Sequence, residues 1–188
     1  ATPRRQKGYL IMARARFTAV PKLLVMVLCL TMIVPVASAE GIPESHRLVG
    51  SGRLTVWFWD IYNIQLWAPD GQYRPDKPFA LELQYLRSVD RKTIAETSLE
   101  EIQQQVNLEL DVLADWQMQL IQVFPDIQKG DRLIGLYDPQ MPSQFFLNGK
   151  LIGVIDDAVL SRHFFDIWLS EETSKPQLRL QLLGMESP

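Results

Sequence analysis

The sequence predicts an α+β fold: one antiparallel sheet with helices on a single face. Three observations predict it. The hydrophobic period runs strand-like, then helical over two segments, then strand-like again, then helical over two more. Phe79 to Arg87 alternates cleanly, with Phe79, Leu81, Leu83 and Tyr85 on one face and Glu82 and Gln84 on the other. "QFFLNGKLIGVI" (Gln144 to Ile155) places two apolar runs around Asn148-Gly149. That pair suits a type I′ turn, whose central residues both need positive φ, so the flanking strands must be antiparallel neighbours.

Each element follows in order. Glu40 to His46 is a polar approach, and Leu48 to Val56 is a first strand favoured by Thr55 and Val56. Trp57 to Trp67 is apolar on both parities, so the strand is either covered on both faces or bends near Asp60 and swaps them. Its tryptophans are expected in the core, because each ring brings a large area to bury. Pro69, Asp70-Gly71, Pro75 and Pro78 punctuate a loop before the Phe79 strand. Asp90 is expected to cap a helix over Arg91 to Val106, with Ile94, Ala95, Leu99, Ile102 and Val106 inward. A second helix is expected from Glu109 to Phe124, ended by Pro125. Arg132 to Asp138 is a strand, followed by the Asn148-Gly149 hairpin. Asp156 is expected to cap a helix carrying Val159, Leu160, Phe164, Ile167 and Trp168. A last short helix has Ser174 as N-cap, Pro176 early and Gly184 as its stop.

The first 39 residues predict a cleaved secretory leader. Arg14, Arg16 and Lys22 precede the short apolar run Leu23 to Val34, and Pro35 and Ala37 to Ala39 offer a cleavage site. The run is shorter than the roughly 20 residues of a membrane helix. Met12 opens a better basic region than Ala1, so residues 1–11 are expected to be upstream sequence. Removal of 39 residues from 188 leaves 149, the size of one domain (residues 40–188), and a periplasmic location is expected. Six of the 19 basic residues and none of the 22 acidic ones lie in the leader, which leaves the domain at −9. That charge argues against nucleic-acid binding, which needs basic patches. The single cysteine, Cys29, also lies in the leader, so no disulfide or thiol nucleophile is expected in the domain.

Common catalytic patterns are missing from the sequence. His46 and His163 are far apart and lack metal-ligand spacing, so no metal is expected. There is no GxSxG, GxGxxG or P-loop, and no cofactor is expected. Asp156-Asp157 suits a helix start, and Glu171-Glu172 a solvated turn, better than an acid/base pair.

The stretches "LVGSGRLTVWFWDIYNIQLWAPDG", "PFALELQYLRSVDRKTIAETSLEEI", "FPDIQKGDRLIGLYDP", "FFLNGKLIGVIDDAVLSRHFFDIWLS" and "LRLQLLG" together resemble the bacterial, exported branch of the chalcone isomerase-like family. The resemblance spans Leu48 to Gly184 and implies an open-faced β-sandwich with a ligand cleft between a long antiparallel sheet and its helices. The plant enzymes of the family close a chalcone ring. Of their arginine, threonine, lysine, tyrosine and asparagine, only the arginine has a counterpart, Arg53, and the threonine position falls near Asp60. An aspartate there would repel a developing enolate, so chalcone cyclisation is not expected.

Other branches bind fatty acids through an arginine and a tyrosine. The resemblance therefore implies a ligand site of Arg53 and Tyr62, with Trp57 and Asp60 beside them. Against this stands a structural reading in which Arg53 pairs with Asp60 or Glu82 and Tyr62 simply packs. Three functions stay open: a non-catalytic binding protein for a small apolar acid or fatty acid, an isomerase or intramolecular lyase on an enone-like substrate, and a module that binds an envelope protein partner. The enzyme reading requires Arg53, Asp60 and Tyr62 to converge on one cavity.

Overall fold

The computed structural model describes residues 41–185; the expected leader lies outside the described residues. The described residues form β1 (His46–Val56), β2 (Trp59–Pro69), β3 (Phe79–Tyr85), α1 (Arg91–Gln103), α2 (Leu110–Val123), β4 (Arg132–Asp138), β5 (Met141–Leu147), β6 (Lys150–Ile155), α3 (Ala158–Leu169) and α4 (Pro176–Leu182). The strands lie in chain order in one sheet, and every neighbouring pair is antiparallel. This is the expected α+β architecture, an open sheet with a helical layer.

The turns and caps carry the local logic. Asn148 and Gly149 have φ of 50° and 80°, as a type I′ turn requires. Asn148 is held further by accepting from the Arg132 N–H and donating to Asp131, both at 2.9 Å. Asp90 caps α1 by accepting from the Thr93 N–H at 3.0 Å. At α3 the cap is Asp157 rather than the expected Asp156. One Asp157 oxygen accepts from the N–H groups of Val159 and Leu160, and the other accepts from Trp116 Nε1 at 3.0 Å. The cap residue thereby also ties α3 to α2. At α4 the N-cap position falls to Lys175, and Ser174, the expected cap, bonds to Glu101 instead.

The apolar run after Val56 departs from expectation. A two-residue turn at Trp57 and Phe58 divides it, and Val56 pairs with Trp59. Trp57 has φ 58°, at a place that two-residue hairpin turns often give to glycine. Trp57, Phe58 and Trp59 are not core residues: they are 88%, 91% and 60% exposed. Of the two alternatives for this run, the face swap near Asp60 is the one that occurs. Leu54 pairs with Tyr62 and Thr55 with Asp60, which leaves Ile61 as the extra residue of a β-bulge. Asp60 and Tyr62 therefore point to opposite faces of the sheet.

One face is apolar and covered. Tyr62, Ile64, Leu66 and Ala68 on β2, with Phe79, Leu81, Leu83 and Tyr85 on β3, are all buried there. The facing helices supply Ile94, Leu99 and Ile102 from α1, Trp116 and Leu120 from α2, and Leu160, Phe164, Phe165 and Trp168 from α3. α4 reaches β1 because Gly50 and Gly52 lie beneath it: a Cβ at Gly50 would stand 2.2 Å from the Gln181 carbonyl oxygen. The other face carries Arg53, Asn63, Gln65 and Gln84, together with Glu82, which pairs with Arg132 at 2.7 Å.

Candidate functional site

Two concavities flank the sheet. On the uncovered face an open polar groove of about 650 Å³ is lined by Ser51, Arg53, Asn63, Gln65, Glu82 and Gln84, with Gln181 at its edge. Between the sheet and the helices lies a more enclosed cavity of about 370 Å³. The second falls at the low end of the ~300–1,000 Å³ typical of small-molecule sites, and its walls are mainly apolar, as such sites usually are. The second is therefore the candidate site.

Its floor is the covered face of the sheet, including Leu81, Leu83 and Leu133, and α3 contributes Phe164, Phe165 and Ile167. At the hairpin end it is bounded by Leu54, Val56 and Ile61. Ile61 reaches the cavity alongside Tyr62 only because the bulge breaks strand alternation there. The polar groups come from elsewhere: Thr93, Thr97, Ser98 and Glu101 on α1, Lys175 before α4, and the phenols of Tyr62 and Tyr85.

Tyr62 is fixed from two sides. Its hydroxyl accepts from Trp168 Nε1 at 2.9 Å, and its ring meets Tyr85 edge-on at 5.5 Å between centroids. A phenol is both donor and acceptor, so with the indole occupying an acceptor site its hydrogen stays available to a ligand oxygen. Burial pushes the ionisation of Tyr62 and Tyr85 far up, so both are neutral donors at any physiological pH. Lys175 donates to Glu101 at 3.3 Å and to Ser174 Oγ at 2.7 Å. An ammonium has three donors, so one is left for a ligand. Glu101 balances the charge of Lys175, and the rim carries no uncompensated charge from this pair. The arrangement suits an apolar body with one hydrogen-bonding head.

The residues expected from sequence divide sharply. Tyr62 lines the cavity, but Arg53, Asp60 and Trp57 do not. Arg53 pairs with Asn63 and Leu54 with Tyr62, so Arg53 and Tyr62 stand on opposite faces. Arg53 donates from Nη1 to Asp60 at 2.7 Å and from Nε to Asn63 at 2.8 Å. Thr55 Oγ1 donates to the other Asp60 oxygen at 2.7 Å. These bonds, Thr55's first and then Arg53's, hold the Asp60 carboxyl below the usual carboxylate range. Asp60 is thus the anchor of a surface network and cannot repel an anion formed in the cavity, as the sequence reading supposed. Trp57 sits at the exposed hairpin tip. Arg53 and Tyr62 therefore form no joint clamp, and Arg53, Asp60 and Tyr62 do not converge on one cavity.

Sequence reasoning passed over Lys175, Glu101 and Tyr85. A signal for α1 was present: Thr93, Thr97 and Glu101 recur at i, i+4 and i+8, a polar line next to the apolar face. Among the described residues, no three side chains of metal-binding type gather in one place.

No curated protein matches this chain. Among solved structures, the chain is similar to a fatty-acid binding protein of Arabidopsis thaliana, at 16% identity and a TM-score of 0.58, over 77% of this chain and 89% of that one. At such identity the likeness shows the fold. The model of the family described as chalcone isomerase-like matches residues 39–184. The sheet order, the helical layer and this match across the domain agree, and the chain belongs to the chalcone isomerase-like family.

Proposed function

We propose that the chain is a non-catalytic carrier for a small apolar molecule with one polar head, of the fatty-acid class, acting in the bacterial periplasm after loss of its leader. One observation carries this reading: a partly enclosed cavity with an apolar floor and α3 wall, and hydrogen-bond donors supplied by Tyr62 and Lys175. The head would meet the free Tyr62 hydroxyl and the third Lys175 donor, and the acyl chain would lie over Leu81 and Leu83. The similarity to a protein named as fatty-acid binding supports the reading. A pure interaction module would be expected to have its sheet and helices packed solid beneath Tyr62, which they are not.

The test is displacement of a dansyl-labelled undecanoic acid by lauric acid, with the chain from Glu40 onward. Residues 41–185 contain the whole sheet, the helices and the core, so this form carries its own fold. Lauric acid should displace the label, Leu83→Trp should abolish binding by filling the floor, and Lys175→Gln should weaken lauric acid more than dodecanol. Absence of saturable binding, or a Leu83→Trp variant that binds as the parent does, would overturn the proposal.

A further inference from the structure

The tip of the β1–β2 hairpin takes no part in the core. Val56, Trp57, Phe58 and Trp59 expose apolar surface consecutively, with Trp57 and Phe58 almost fully in solvent. Trp57 does so in the left-handed region, where a non-glycine residue is unfavourable and glycine would be at ease. Backbone strain and solvated aromatic rings together mark a tip built to contact something apolar.

Two features select the partner. Arg87 stacks over the Trp59 ring at 4.1 Å, is exposed, and forms no ion pair with a carboxylate among the described residues. An indole with a free guanidinium beside it complements the boundary of a bilayer, where rings sit at headgroup depth and phosphates lie just above them. The tip is also continuous with the cavity, because Val56 belongs to both and Leu54 and Ile61 lead inward. We propose that this hairpin tip, with Arg87, docks the protein on a lipid bilayer bearing anionic phosphate headgroups, placing the cavity mouth against the acyl region. The purpose of docking, transfer of an apolar ligand without passage through water, rests on the carrier reading above; docking itself needs no ligand.

The experiment is co-sedimentation of the chain from Glu40 with phosphatidylethanolamine–phosphatidylglycerol vesicles. This form also keeps the apolar run at Leu23 to Val34 from binding the vesicles itself. The protein should pellet, and brominated acyl chains should quench the indole emission of Trp57 and Trp59. Replacing Trp57→Ser and Phe58→Ser together should weaken partition by about tenfold or more per ring, since each ring that leaves water contributes at least one decade. Displacement of labelled fatty acid in vesicle-free buffer should stay unchanged. Trp57→Gly should weaken partition while leaving the denaturation midpoint equal or higher, which separates docking from folding. Arg87→Gln should reduce binding to phosphatidylglycerol vesicles more than to phosphatidylcholine vesicles.

A parent chain that stays in the supernatant, or a double variant that pellets as the parent does, would overturn docking and leave the carrier reading intact. Vesicle binding without fatty-acid displacement would support docking and sink the carrier reading. A parent dimer that the double variant dissociates, without vesicle binding, would assign the tip to a second copy and also overturn the proposal.

Discussion

The contact of α4 with β1 predicts different outcomes for two neighbouring glycines. Neither Gly50 nor Gly52 has a positive φ, so alanine is compatible with both backbones. What differs is the neighbour. A Cβ at Gly50 would meet two backbone oxygens of α4, Gln181 O at 2.2 Å and Leu182 O at 2.6 Å. Backbone cannot swing away, so strand and helix must part by roughly 1 Å to restore normal contact. α4 holds on through Leu178 and Leu182, which are 6% and 0% exposed. Full exposure of the two would cost about 3–6 kcal/mol, at roughly 1.5–3 kcal/mol per leucine. A gap of about 1 Å forfeits a quarter to a half of the contact energy, so Gly50→Ala should cost about 1–3 kcal/mol, the range found for overpacked cores. At Gly52 the clashes, both at 2.4 Å, are with the ends of two side chains, Gln181 Oε1 and Leu178 Cδ1. Rotamer adjustment there costs about 0.5–1.5 kcal/mol, and reduced unfolded-chain entropy returns about 0.4–1 kcal/mol. Gly52→Ala should therefore be near neutral. Urea unfolding with unchanged slope would measure both, and tryptic cleavage after Arg179 would report release of α4. Equal destabilisation by the two variants, or a neutral Gly50→Ala, would refute the reasoning.

Three further outcomes follow from the site and the hairpin. Trp57→Gly should raise stability by about 1 kcal/mol, because a left-handed non-glycine residue costs about 1–3 kcal/mol and the exposed ring contributes little packing in solution; chemical denaturation checks it. Arg53→Ala should leave fatty-acid displacement unchanged, since Arg53 lies on the far face, whereas Tyr62→Phe should weaken it and cost about 1–3 kcal/mol by stranding the Trp168 indole N–H; a loss of ligand affinity in Arg53→Ala would contradict the face assignment. Burial raises the ionisation of Tyr62 and Tyr85 far above 10.0 and pushes Tyr73 up to about 12. Folding thus favours the protonated phenols, and that contribution is complete below the unfolded value of 10.0 and is lost as pH rises past it. Tyrosinate absorbance at alkaline pH should lag for these rings and rise together with the loss of circular dichroism.

Much of the fold was legible because several signals were purely local. Alternation from Phe79 to Tyr85, the positive-φ turn at Asn148-Gly149 and the Asp90 cap each depend on a few adjacent residues, and each was found where expected. The candidate site was less legible because it depends on register. Arg53 and Tyr62 are separated by a turn that carries no glycine, proline, asparagine or aspartate, so nothing in Trp57-Phe58 announces a hairpin. Without that turn the pairing of Arg53 with Asn63 is unknown, and with it the face each side chain takes. Lys175 was hidden for another reason: it enters the cavity from the far end of the domain through α4's approach, a meeting that only tertiary packing creates.

The charges in the aromatic stretch nevertheless have a function, through position instead of contact with a ligand. Isolated exposed ion pairs contribute about 0–1 kcal/mol, so the Arg53–Asp60 pair is a weak source of stability. Its geometry says more. Arg53 links Asp60 to Asn63, and Asp60 links Arg53 to Thr55, so the bonds span both strands on either side of the extra residue Ile61. A bulge inserts one residue between paired neighbours, and slippage by one residue would exchange the faces of every side chain beyond it. With Asp60 on the outer face, Ile61 and Tyr62 both line the cavity. The outer network thus reinforces a register that the β1–β2 ladder and the buried Tyr62–Trp168 bond already hold, so the ligand-facing wall stays in place when Arg53 is removed.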